Sequence, residues 1–407
     1  MKISDPLNQF AQICQEILAQ CSQKVSKTLK RNIAEVLELY MALNSRINFT
    51  QMGKIGEHIE QTYRNTFSHE FDWLEFNSLL AQRYFASDKR KAIAIDPSYI
   101  PKSGKHTDFL DYFWSGAASQ AKWGLEILAI AMLGIDSHDC ISLYAQQTPD
   151  NISLERYDSN LIDWYARIIE SKKTQLLSLS KYVVADSFFA VRTFVGRMNT
   201  IGFDVISRFH DNAHLRYCIS EEDKHTGKRG APLKYGDKID INNLDMNIFK
   251  KVKKDIDDGE LYSAVVYAKA LKRNVKLVVW KGTKGQHKLY FSTDIDMSAE
   301  DVIEYYRTRF QIEFRIRDAK QYAGLTHCQA RHADKLGFAF NASFASVNVA
   351  KLLIQQSEYT LTLRDVKYLI SSQYLIRRIF SRSGFFPNRK INTKIVKELL
   401  NFAAFAA

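Results

Sequence analysis

Ala92-Ile93-Ala94-Ile95-Asp96-Pro97 is four apolar residues in a row, then a carboxylate, then a proline. So short a run, without alternation, predicts a strand buried on both faces. The proline is expected to stop it just after Asp96. Tyr182-Val183-Val184-Ala185-Asp186 repeats the pattern of a buried strand ending in a carboxylate. Two aspartates at the carboxyl ends of buried strands stand where open α/β sheets place their chemistry. A carboxylate beside such apolar runs is costly, and two sharing one crevice repel unless a cation lies between them. The blander role for each is a turn or helix N-cap, which favours aspartate on its own account.

Working outward, strand-like runs cover 124–134 and 140–146. A helix over about 159–170 leads to the second aspartate strand, a helix over about 188–199 follows, and 203–206 reads as a fifth strand. Three strands followed by alternating helix and strand predict a mixed α/β sheet with helices on both sides. Upstream, residues 1–85 read as helical: Leu7, Phe10, Ile13, Cys14, Ile17 and Leu18 keep helical spacing, as do Ile33, Val36, Leu37, Tyr40 and Met41. Lys24, Lys27, Lys30 and Arg31 make part of this segment basic, and Thr50, Gly53 and Gly56 admit either a helix-turn-helix over 50–67 or a plain helical bundle. Downstream, 209–297 reads as a β-rich insertion, with strand-like runs at 215–219, 262–271, 275–280 and 288–291 and a basic loop over 221–238. Helical patterning returns over 299–321, 335–356 and 362–379, with a last candidate at 390–405. The expected division is a helical region over 1–85, a first catalytic part over 86–208, the insertion over 209–297, a second catalytic part over 298–356 and a helical region over 357–407.

Composition narrows the function classes. Hydrophobic residues make up 46% and charged ones 25% of 407 residues, enough for a large core without disulfides or structural metal. The formal net charge of +12 favours a polyanionic partner, nucleic acid first among them. Five scattered cysteines without a CxxC pair read as reduced thiols, and the start carries no signal-peptide pattern, so a soluble cytoplasmic protein without a membrane partner is expected. No Gly-rich phosphate loop, HExxH or paired CxxC is present, so no nucleotide cofactor is expected. His210 and His214 are the only histidines at ligand-like spacing.

A third signal lies in the predicted helix over 299–321. Tyr306, Arg309, Glu313 and Lys320 fall within about 60° of one another at about 100° per residue, a stripe roughly 21 Å long. An ordinary ladder of i, i+4 pairs accounts for Arg309 and Glu313 but not for the whole stripe.

The pattern Y-x2-R-x3-E-x6-K, after aspartates at the ends of two earlier strands, resembles the signature of DDE transposases from bacterial cut-and-paste insertion sequences. IDPSYIPKSGKHT, VVADSFFAVRTF and FRIRDAKQYAGLTHCQAR resemble the blocks around the two aspartates and after the glutamate. The resemblance covers about 90–355. It implies a ribonuclease H-like mixed sheet flanked by helices, an acidic triad of Asp96, Asp186 and Glu313, and a β-rich insertion before the glutamate.

The resemblance also implies two Mg²⁺ or Mn²⁺ ions on the triad, cleavage at transposon ends and strand transfer into target DNA. The partner would be double-stranded DNA, bound by a homodimer on paired ends. Tyr306, Arg309 and Lys320 are candidates to hold the DNA backbone, as are Lys102, Lys105 and Arg208. Trp280 is a candidate to stack on an unpaired base, with a core role as its ordinary alternative. Lys228 and Arg229, in the 224–238 loop, are candidates to lie over phosphates. Competing expectations are a ribonuclease H-like nuclease or resolvase that cuts without joining, and a transposase-derived DNA-binding regulator.

Overall fold

The computed structural model describes residues 5–219, 233–252 and 259–383. Five helices come first: α1 (Pro6–Gln20), α2 (Lys27–Ala42), α3 (Phe49–Ile55), α4 (Glu60–Thr66) and α5 (Trp73–Tyr84). Their starts are set locally, because Asp5, Ser26, Asn48 and Asp72 each accept a hydrogen bond from a backbone amide in the first turn of α1, α2, α3 and α5. The sheet then opens with β1 (Lys91–Pro101), β2 (Asp111–Ser115), β3 (Gln120–Gly134) and β4 (Asp139–Gln147). Next come α6 (Asn151–Arg156), α7 (Leu161–Ser171), α8 (Lys173–Leu177), β5 (Tyr182–Val184), α9 (Arg192–Thr200) and β6 (Asp204–Phe209). Strands β7 (Leu215–Tyr217), β8 (Lys250–Lys251), β9 (Gly259–Ala268), β10 (Arg273–Gly282) and β11 (His287–Ser292) follow. The last four elements are α10 (Ala299–Thr308), α11 (Gln311–Tyr322), α12 (Ala333–Gln356) and α13 (Leu363–Ser383).

One half of the sheet runs β4-β3-β1-β5-β6. Pairing is antiparallel from β4 through β3 to β1, then parallel from β1 to β5 and β5 to β6. Three antiparallel strands in sequence, with two parallel ones added beside the first, are the ribonuclease H-like arrangement. The residues predicted to be inserted do not leave this sheet. β11 pairs antiparallel with β6, and β10, β9 and β7 continue outward, making eleven strands among the described residues.

Three details differ from the sequence expectation. Pro97 does not end its strand: β1 runs on to Pro101 along β3, from Lys91 opposite Gly134 to Pro101 opposite Gly124. Its other edge pairs with β5 only at Ile93 and Ala94. A proline is tolerated where one edge of a strand is open. The helix after Asp186 begins later than expected, since a 3-10 turn over Ser187–Phe189 precedes α9. The helix over 299–321 is two helices, with Arg309 and Phe310 at the joint.

The amino-terminal helices share one hydrophobic core with the sheet. The buried set runs continuously from Leu7 to Tyr374, and α1, α2 and α5 pack on α12, which itself lies along β4. Among the described residues α12 alone is long and apolar enough to cross a membrane, yet 83% of its apolar window is buried inside the protein. Two of its polar side chains are tied to β4: Asn341 exchanges hydrogen bonds with the Ala145 backbone and Asn348 with that of Ser142. A helix apolar on every side is thus the central core helix here.

Candidate active site

Asp96 sits two residues past the last pair between β1 and β5, where the strand leaves its parallel neighbour. Asp186 lies two residues past the end of β5. It caps the 3-10 turn through Oδ1, which accepts from the Phe188 amide at 3.0 Å, while its own carbonyl accepts from Ser207 Oγ on β6 at 2.8 Å. The capping role that the sequence allowed therefore exists, and it leaves Oδ2 without a partner in the turn.

Glu313 lies in the first turn of α11, and its side chain is 40% exposed. Arg309, at the α10–α11 joint, stands between it and Asp96: Nη2 is 3.1 Å from Glu313 Oε1 and Nη1 is 3.6 Å from Asp96 Oδ1. The guanidinium is largely buried, and its Nε has no hydrogen-bond partner among the described residues. Burial raises the Asp96 carboxyl to about 7; the Arg309 charge opposes the rise, and the Glu313 and Asp186 carboxylates add to it. Both other acids thus act on Asp96 through space. No group of three His, Cys, Asp or Glu side chains among the described residues stands together as a metal cage, and the Arg309 cation bridges two of the three acids.

The remaining stripe residues separate into two roles. Tyr306 packs its ring 5.0 Å from that of Tyr290 on β11 and 5.8 Å from the Arg309 guanidinium, and burial pushes its phenol above the ordinary value. Arg208, opposite Tyr290 on β6, is close enough for its charge to act on Tyr306, and its Nε is buried without a hydrogen-bond partner among the described residues. Lys320 turns to the protein instead. Its Nζ donates to Ser98 Oγ at 3.0 Å and to the Tyr99 carbonyl at 2.9 Å, just beyond Asp96 on β1, and burial lowers its proton affinity.

Lys102 is committed in the same way, donating to the carbonyls of Cys328 and Ala330 at 2.7 and 2.8 Å. These two lysines, expected on DNA, donate instead to the strand and the loop beside the site, Lys102 to carbonyls alone and Lys320 to one carbonyl and one hydroxyl. Lys105 is exposed. Trp280 is not a stacking platform: it is 8% exposed within β10, with Lys288 Nζ 5.0 Å from its ring. Gly259 allows this close packing, since a Cβ there would fall 2.3 Å from the indole nitrogen. Lys228 and Arg229 lie outside the described residues. His210 and His214 border a cavity beside β6 with Asp211 and His287 and do not gather a metal-binding set.

Two anchoring clusters escaped the sequence reading. Arg90, just before β1, donates to Asp136, Asp301 and Glu304, each at 2.7 Å, and so ties α10 to the root of the Asp96 strand. Asp139, at the start of β4, is met by Arg315 of α11, Lys351 of α12 and the Tyr84 hydroxyl. The first fixes the helix carrying Tyr306, the second the helix carrying Glu313. No spacing in the sequence links these partners, which lie far apart along the chain.

Comparison with known proteins bears on the same region. The model of the transposase DDE domain matches residues 143–349, just over half of the chain, taking in Asp186 and Glu313 and starting after Asp96. Among solved structures, the cryo-EM structure of a piggyBac transposase synaptic complex with hairpin DNA is similar at 9% identity and a TM-score of 0.43, covering 99% of this chain and 84% of that one. No curated protein matches. On the family match, the chain belongs to the transposases with a DDE domain.

Proposed function

We propose that this transposase cuts DNA at the ends of its element and joins those ends to target DNA, with Asp96, Asp186 and Glu313 holding a pair of divalent cations, Mg²⁺ or Mn²⁺. The observation that carries this reading is the setting of Asp96, a largely buried carboxylate bridged to Glu313 by the Arg309 guanidinium. Its carboxyl is largely buried, is raised to about 7, feels both other acids, and meets one guanidinium at 3.6 Å. Hard carboxylate oxygens in that state fit a divalent cation well, because a small double charge offsets burial and mutual repulsion together.

Divalent ions bound there would supply Lewis-acid activation of the attacking hydroxyl and neutralise charge at the leaving oxygen. The chain's own residues do the rest. Arg309 offsets the repulsion between Asp96 and Glu313 in the free protein, and its guanidinium would be available to a DNA phosphate if cations held the two carboxylates. Tyr306 and Arg208 flank that path from the β6–β11 side and are placed to hold the backbone. Lys320 acts as a positioning residue, fixing Ser98 and Tyr99 so that Asp96 points into the crevice. The net charge of +12 supports association with DNA, and a homodimer on two paired ends is the matching assembly.

The test is incubation of the protein with DNA bordering its reading frame, a target plasmid and Mg²⁺. Cleavage and joined product are expected from the wild-type chain. Asp96→Ala is expected to lower both by at least about 10³-fold while end binding stays within about twofold. Cleavage without joining would instead favour a nuclease, and an Asp96→Ala variant as active as wild type would remove the site assignment.

A further inference from the structure

The β2–β3 hairpin carries three large aromatic side chains that the candidate active site does not use. Tyr112 and Trp114 are each 64% exposed and Trp123 is 41% exposed. Tyr112 and Trp123 are cross-strand partners whose rings meet edge to face at 5.4 Å. Three such rings side by side in solvent mark an interaction surface.

Strand alternation fixes which way this surface faces. Trp114 is two residues from Tyr112, and Trp123 is opposite Tyr112, so all three share one face. Trp123 is also two residues from Leu125, which pairs with Ile100, and Ile100 shares its face of β1 with Ser98 and Asp96. The aromatic patch is therefore on the same side of the sheet as the candidate catalytic aspartate. It lies about 20 Å further along the strand at ~3.3 Å per residue.

Beside the hairpin, a cleft of about 950 Å³ opens between the α2–α3 turn, the loop after β1 and the loop before α12. Trp123 borders it with Arg46, Lys102, Lys105 and Arg331, and no carboxylate is among the residues that line it. Arg46, Lys105 and Arg331 are exposed. Cations crowd here: burial first, and then the Arg46 charge, pull the His327 imidazole below its ordinary value. Burial and the same arginine also act downward on Lys102.

We propose that the hairpin and cleft bind an unpaired segment of DNA, with a base stacked on the Trp114 face and the adjoining phosphates in the cation-lined cleft. Exposed rings reward only bases whose faces are free, and a duplex keeps those faces inside its own stack. A wall with three exposed cations, Arg46, Lys105 and Arg331, and no carboxylate suits a phosphate backbone. At about 3.4 Å per nucleotide, the patch meets a strand roughly six nucleotides from the point of cleavage. The proposal rests on the reading of the chain as a DNA-cutting enzyme and adds where an unpaired strand runs.

The experiment measures binding of a duplex with a single-stranded tail and of the same duplex blunt-ended, by fluorescence anisotropy in EDTA. Trp114→Ala is expected to weaken binding of the tailed duplex by about tenfold and to leave the blunt one within about twofold. Trp114→Phe, which keeps a ring, restores most of the loss, and thermal melts of all variants control for folding. Lys105→Ala and Arg331→Ala are each expected to lower the salt dependence on the tailed duplex by about one phosphate contact. Equal loss on both substrates, or none on either, overturns the proposal. So does a Trp114→Ala variant that changes the sedimentation of the DNA-free protein but keeps its preference for tails, since the patch would then face a second copy of the chain. Cleavage by Asp96→Ala is scored in parallel. Tail preference lost to no substitution, with Asp96-dependent cleavage intact, sinks only the hairpin; cleavage independent of Asp96, with the Trp114 effect intact, sinks only the catalytic reading.

Discussion

Arg309 and Lys320 both border the candidate active site but use their charges differently. Arg309 faces two carboxylates across the crevice, whereas Lys320 has both of its hydrogen bonds on β1. A lysine held by Ser98 and the Tyr99 carbonyl contributes geometry rather than phosphate binding. Lys320→Ala is accordingly expected to slow cleavage by about tenfold or more with no change in the salt dependence of DNA binding. A fall of about one in the slope of log affinity against log salt would place Lys320 on a phosphate and contradict this role. The residue types at these positions could be read from the sequence. Their partners could not, because a lysine's reach to a carbonyl of another element is decided by packing and leaves no mark in spacing.

Elements carry the carboxylates to the crevice, and α11 depends on the Asp139 cluster for its seat. Burial pushes the Asp139 carboxyl up, but Lys351, Arg315 and the Tyr84 hydroxyl more than offset this and hold it below the ordinary carboxylate range. Removing one partner from a buried ionic group leaves the others uncompensated, at about 3–5 kcal/mol. Asp139→Ala is expected to lose stability on that scale at pH 7 in urea titrations, and to lose cleavage with it. A carboxyl depressed in the folded state contributes stability above its unfolded value, near about 3.9, and loses it as pH falls through the folded value. The gap between wild type and variant should therefore close below about pH 4; a gap unchanged down to pH 3 would mean that the charge of Asp139 is not what seats α11.

The same scale shows which elements the sequence discloses. β1 and β5 announce themselves because unbroken apolar runs have few other uses. The continuation of β1 through Pro97 is hidden, since a proline signals a stop unless the neighbouring strands are known. The joint at Arg309 and Phe310 is hidden too, for neither a glycine nor a proline marks it. β2 is hidden because its exposed aromatic side chains alternate toward solvent, which reverses the usual apolar-inward pattern of a strand.

Across the whole molecule, one continuous sheet and one core join what the sequence divides. The strands expected in an insertion extend the catalytic sheet through the β6–β11 pair, and the first five helices close around α12 with α13. Helices α5 and α12 thus pack on the sheet on which Asp96 and Asp186 stand, with α1, α2 and α13 behind them, while Glu313 approaches from α11 across β1 and β3. The +12 charge belongs to this scale as well, and it favours a polyanionic partner. At this scale the proposed function requires three acids from separate elements to share divalent cations. Diffraction at the manganese absorption edge, from crystals grown with Mn²⁺ and end DNA, tests it most directly. Anomalous peaks in contact with Asp96, Asp186 and Glu313 are expected, with the Arg309 guanidinium withdrawn from between Asp96 and Glu313. Arg309 still paired to both acids, and no peak beside them in a protein that cleaves DNA with Mn²⁺, would contradict it.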